Sequence, residues 1–192
     1  MKVTKDFYSQ LPDFDTYYGS IKELFENGKT TGANQSEAML NYTKLSLART
    51  KRGLKTFKLK PELIEVAKKH HSKNWFLISE AWCGDAAQNI AQLAKIAEQS
   101  TQIELHILYR DENLELMDKF LTNGGRSIPK LIRYQSSSES YLNSWGPRPK
   151  AAQELVMQHK ADGTSYAEDL HKWYALNKNQ DLEQELIELI SN

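Results

Sequence analysis

Asn74-Trp-Phe-Leu-Ile-Ser79 is a continuous apolar run held between polar ends. It is too short for a helix and has no polar alternation to give one face to water, so it reads as a strand covered on both sides. A strand of that kind needs a packed layer above it and another below, which constrains the chain to helices on both faces of a sheet. The flanking periodicity supplies those layers. Phe14, Tyr17, Tyr18, Ile21, Leu24 and Phe25 recur at three- and four-residue steps ahead of Gly28, a fitting C-terminal cap. Residues 36–49 form a second amphipathic stretch with Met39, Tyr42 and Leu45 on one side, and Pro61 opens a third that carries Leu63, Ile64, Val66 and Ala67.

After the buried strand, residues 85–100 read as a helix through Ile90, Leu93, Ala94 and Ala97. Ile103, Leu105, Ile107 and Tyr109 alternate as a strand does, residues 113–121 are helical through Leu114, Met117 and Phe120, and residues 129–134 form another short apolar strand. Residues 140–145 are expected to pair with it after a turn at Ser136-Ser-Ser138. Helices return at the end, marked by Leu155, Val156 and His159, then Tyr166, Leu170, Trp173 and Tyr174, then Leu182, Leu186, Ile187 and Ile190. The expected organisation is an α/β core over residues 55–147, with a helical extension at 1–54 and another at 148–192, in a single compact domain without repeats or a long linker.

Charge narrows the range of partners. Lys and Arg number 25 against 25 Asp and Glu, so neither nucleic acid nor an anionic membrane is an expected partner, since both are recognised through excess positive charge. The longest wholly apolar run, Trp75 to Ile78, is four residues, against the roughly 20 that a membrane span needs. The residues after Met1 lack the apolar core of a secretory signal, and a single cysteine, Cys83, allows no internal disulfide. The expected location is the cytoplasm.

Two segments could carry chemistry. Glu80-Ala-Trp-Cys-Gly-Asp-Ala86 sits where the buried strand gives way to a helix. A cysteine there faces unsatisfied backbone N–H groups and the positive end of the helix dipole, both of which favour the reactive thiolate. The other role open to Cys83 is that of a small buried hydrophobe. The second segment, Thr122-Asn-Gly-Gly-Arg-Ser-Ile-Pro129, ends in a proline that opens a strand, a candidate cis bond.

Trp82-Cys83-Gly84 between strand and helix, followed by Ile128-Pro129 at the start of a later strand, resembles the thioredoxin superfamily, whose motif is Trp-Cys-Gly-Pro-Cys. Together with Leu116-Met-Asp118 and Trp145-Gly-Pro-Arg-Pro149, these strings look like a bacterial thioredoxin-like branch. The resemblance implies a thioredoxin-like sandwich, a central mixed sheet with helices on both faces and helical extensions at both ends. It places Cys83 as the nucleophile, Pro129 as the cis proline beside it, and Trp82 and Ile128 as substrate-binding residues, with Ile128 offering backbone groups to an extended strand.

Three departures from the thioredoxin pattern bear on function. Ala86 stands at the second, resolving cysteine, Asp85 at the proline between the cysteines, and Leu77 where thioredoxins keep a buried acid. A dithiol cycle is therefore excluded. Asp85 suits the first helical turn but opposes thiolate formation at Cys83, while Arg126 is the candidate cation to offset it. The leading expectation is a monothiol oxidoreductase, with a depressed Cys83 pKa, acting on a protein disulfide or glutathione mixed disulfide and recycled by an external thiol. The alternative is a non-redox module that binds extended polypeptide. Metal-cluster sharing across a dimer, as in monothiol glutaredoxins, ranks last. No cofactor or metal is expected: His70-His71 and His106 lack metal-ligand spacing. The basic run with Lys51, Arg52, Lys55 and Lys58 suits a solvated face, and Arg148 is expected to pin a rigid turn. The oligomeric state is not fixed by the sequence.

Overall fold

The computed structural model describes residues 4–69, 74–135 and 140–191. His70-His71 and the Ser136-Ser-Ser138 turn lie outside them. In chain order the elements are α1 (Lys5–Tyr8), α2 (Phe14–Glu26), α3 (Glu37–Thr56), α4 (Pro61–Lys69), β1 (Asn74–Ser79), α5 (Gly84–Gln99), β2 (Glu104–Tyr109), a single 3-10 turn (Arg110–Glu112), α6 (Leu114–Met117), β3 (Lys130–Gln135), β4 (Ser140–Trp145), α7 (Lys150–Ala161), α8 (Ala167–Asn177) and α9 (Gln180–Ser191). The sheet order is β2-β1-β3-β4. β1 runs parallel to β2 and antiparallel to β3, and β4 pairs antiparallel with β3. The sheet is thus mixed, as expected.

Every residue of β1 is buried, and the period of two along the strand divides its side chains between two cores. Trp75 and Leu77 point into one that α2, α4, α5 and α9 cover, through Tyr17, Ile21, Leu63, Ile90, Leu93, Leu182 and Leu186. Phe76 and Ile78 point into the other, with Leu108, Leu116, Met117, Ile132 and the partly buried Phe7 and Tyr8 of α1. Burial of each of these β1 side chains stabilises the fold by roughly 2 kcal/mol. His106 is a packing residue, its ring 5.4 Å from those of both Tyr8 and Phe76. The α7–α8 pair has a small core of its own around Ala152, Val156, Leu170 and Tyr174.

Two elements differ from expectation. α6 stops at Met117 instead of reaching residue 121. Lys119 and Phe120 turn their N–H groups to Leu116 and Met117, three residues back, and the chain then reverses through a Thr122–Gly125 bridge. α3 continues past residue 49 to Thr56, and its apolar side is not the one that packs inward. Thr43, Ser46, Thr50 and Gly53 are its buried residues, whereas Tyr42 and Leu45 are 53% and 48% exposed. The reason is proximity. α3 lies so close to α5 that a Cβ on Gly53 would come within 2.9 Å of the Ala91 Cβ and 2.8 Å of the Phe57 ring. Small residues pack on that face, and the large ones turn away from it. Gly53→Val is expected to force the two helices apart and to lower stability by roughly 1–3 kcal/mol, read as a lower Tm with the far-ultraviolet spectrum retained.

Candidate functional site

The end of β1 delivers Glu80-Ala-Trp-Cys to the start of α5. Cys83 is the N-cap: its Sγ accepts the Ala86 N–H at 3.4 Å, and its own N–H donates to the Glu80 carbonyl at 3.1 Å. Ser46 of α3 donates to the Cys83 carbonyl at 3.4 Å, and the Ala81 N–H donates to the Thr31 hydroxyl at 2.9 Å, so the turn is held from the N-terminal side of the chain. The Ile128–Pro129 peptide bond is cis, and Cys83 Sγ donates to the Ile128 carbonyl at 3.3 Å. Cys83, Ile128 and Pro129 therefore meet, with Trp82 half-buried alongside and the Arg110 guanidinium 4.9 Å above its ring.

The thiol departs from the sequence expectation. Cys83 is only 6% exposed and sits in the hydrocarbon of Phe76, Ile78, Met117 and Ile128. Burial, reinforced by the Asp85 charge, pushes its pKa up to about 12, against the opposing pull of the Ala86 and Asp85 N–H groups and of Arg148. The helix N-terminus is present, but desolvation outweighs it. At neutral pH the group is a protonated donor.

Arg126 does not supply the expected offsetting cation. Its Nε and Nη2 donate to the two Asp118 oxygens at 2.6 and 2.8 Å on the exposed side of the loop. The cation that meets Asp85 is Arg148, whose Nε and Nη2 lie 3.1 and 2.5 Å from Asp85 Oδ2, both side chains being 12% exposed. The Tyr174 hydroxyl donates to Asp85 Oδ1 at 2.9 Å, and Arg148 Nη1 donates to Gln153 Oε1 at 2.8 Å. Arg148 thus pins its turn through a carboxylate on α5, which the sequence reading missed. Leu77 is fully buried in the core, and the buried acid of this region is Glu80. Its Oε1 accepts the Asp111 N–H at 3.0 Å, its Oε2 has no hydrogen-bond partner among the described residues, and burial raises its pKa above the usual carboxylate range. Its place directly after a strand buried throughout was the available signal.

A groove of about 780 Å³ opens over these residues. The side of α3 that faces away from the core forms one wall with Met39, Tyr42 and Leu45, and α7 and α8 contribute Met157 and Leu170. Among the described residues no group of three or more His, Cys, Asp or Glu is placed to hold a metal ion.

The family model described as Thioredoxin matches residues 32–167, which include β1, the Cys83 turn, the cis-proline loop and all four strands. The chain belongs to the thioredoxin family. No curated protein matches it. The crystal structure of PA1234 from Pseudomonas aeruginosa, a protein of unknown function, is similar over 100% of this chain and 98% of its own, with 18% identity and a TM-score of 0.65. An HIV epitope-scaffold is similar over 97% and 96%, with 16% identity and a TM-score of 0.64. At these identities the likeness speaks for the thioredoxin-like fold alone. Among the described residues no helix is long and apolar enough to cross a membrane.

Two outcomes follow from the electrostatics. Asp85→Asn removes the anion beside the thiol and leaves the Arg148 charge uncompensated, so the Cys83 pKa is expected to fall, measured by thiolate absorbance during a pH titration. The second concerns alkaline stability. The unfolded thiol ionises at ~8.5 and the folded one at about 12, so the folded state's preference for the neutral thiol is complete below the first value and lost as pH rises through the second. The stability difference between the natural protein and Cys83→Ser is therefore expected to shift against the natural protein over that window, read from urea titrations at each pH.

Proposed function

We propose that this thioredoxin-family protein is a binding module that holds an extended polypeptide in the groove over Cys83 and keeps the thiol protonated. The observation that supports it is the state of the sulfur, buried and engaged as a donor to the Ile128 carbonyl. A thiol held in that way contributes packing and one hydrogen bond, while its nucleophilic form is disfavoured. The groove supports the same reading. Tyr42, Leu45 and Met157, which are 53%, 48% and 41% exposed, all lie along it, and large apolar side chains gathered in one concave surface suit a partner's side chains. The bend at Ile128, ahead of β3, offers backbone for strand-like pairing with an extended chain.

A second reading rests on the Ala86 N–H that points at Sγ from the first turn of α5. In that reading Cys83 loses its proton to solvent and its thiolate attacks one sulfur of a disulfide or glutathione mixed disulfide. A new S–S bond forms and the other sulfur leaves as a thiolate. Ala86 provides no thiol to resolve the intermediate, so an external thiol attacks it and releases Cys83.

Alkylation of Cys83 across a pH series separates the two. For the binding module, iodoacetamide is expected to react more slowly than with free cysteine at neutral pH, incubation with oxidised glutathione leaves the mass unchanged, and Cys83→Ser retains peptide binding. Fast, pH-independent alkylation near neutrality together with a glutathione adduct overturns that reading in favour of the monothiol one.

A further inference from the structure

The chain as a whole is electrically neutral, with 25 cationic and 25 acidic residues, but the groove over Cys83 is not. Arg49, Arg110, Arg126, Arg148 and Lys160 line it, and Asp85 is the one carboxylate among the described lining residues. Arg148 is satisfied by Asp85, while Arg110 and Arg126 pair with Asp111 and Asp118, which do not line the groove.

Arg49 and Lys160 remain. Among the described residues neither has a carboxylate within ion-pair distance. Lys160 is exposed at the end of α7. Arg49 is half-buried on α3, and its Nη2 lies 3.0 Å from Nε2 of His171. An imidazole can accept from a guanidinium only when that nitrogen carries no proton. Burial and the Arg49 charge, against the opposing Asp85 charge, hold the His171 pKa below its usual value and favour the neutral ring, which accepts from Arg49 in the tautomer that leaves the facing nitrogen bare. Arg49 therefore carries a partly desolvated charge answered by a neutral ring, with Arg52 as a further unfavourable neighbour and the Asp85 charge already shared with Arg148 and Tyr174. It also stands at the working end of the groove, because a Cβ built on Gly84, next to Cys83, would lie 3.2 Å from Arg49 Nη1.

We infer that the groove selects an acidic polypeptide segment, whose carboxylates face Arg49 and Lys160 while its apolar side chains contact Tyr42, Leu45 and Met157. This rests on the polypeptide-binding reading and adds the chemistry of the partner to it. The apolar wall supplies contact area without sequence choice, and the unmatched cations supply the choice, since electrostatic complementarity acts chiefly on specificity and association rate. An acidic segment also places a carboxylate where the described residues provide none within ion-pair distance, which lowers the cost of a half-buried guanidinium.

The test uses a short rhodamine-labelled peptide of alternating Glu, Val and Ser, its Gln counterpart and its Lys counterpart, with anisotropy read on the full chain. The Glu peptide is expected to bind about tenfold more tightly than the Gln peptide at low salt, with the gap closing at high salt. Arg49→Gln and, independently, the exposed Lys160→Gln are each expected to narrow that gap. Equal affinity for the Glu and Gln peptides overturns the acidic assignment and leaves the polypeptide reading standing. Absence of binding by all three peptides overturns both. Binding of glutathione without binding of the Glu peptide assigns the groove to a small anion and likewise overturns the proposal.

Discussion

The Asp85 carboxylate is where three parts of the molecule meet. It belongs to the first turn of α5, directly after the thiol, and it is gripped by Arg148 from the turn after β4 and by Tyr174 from α8. A carboxylate in a first helical turn is favourable in its own right, but here it also ties the C-terminal helices to the end of the sheet. The same charge, once satisfied from that side, still faces Cys83 and adds to the burial that keeps the sulfur neutral. Architecture and thiol chemistry share one residue, so neither can be altered at this position without the other.

Ala86 completes the departure from dithiol chemistry. It is buried in the same core as Cys83, and its N–H donates to the sulfur at 3.4 Å. A methyl group in place of a thiol removes the internal resolving step and adds hydrocarbon around the remaining sulfur. Burial of that sulfur, with no second thiol beside it, disfavours its nucleophilic form.

What could be read from the sequence follows from how local each signal is. β1 was legible because an unbroken apolar run has one physical explanation, and the meeting of Cys83 with Pro129 because the two motifs together resemble the thioredoxin pattern. The inward face of α3 was not legible. Periodicity favours Met39, Tyr42 and Leu45 as the buried side, whereas close approach to α5 selects Thr43, Ser46, Thr50 and Gly53 instead, and that approach is set by tertiary packing. Arg126 and Arg148 illustrate the same limit. Both are arginines in loops that contain proline, and only the three-dimensional path decides that one meets Asp118 at the surface and the other meets Asp85 within.

The turn Trp145-Gly-Pro-Arg-Pro149 has a role beyond its own geometry. Gly146 has a φ of +115°, and a side chain there would run into the carbonyl oxygen of Pro129; two residues later Arg148 reaches Asp85. One short span therefore braces the floor of the groove on one side and fastens its rim on the other. Any drift of the outer sheet edge would be transmitted to both within a few bonds, so the shape of the opening above Cys83 is tied to β4.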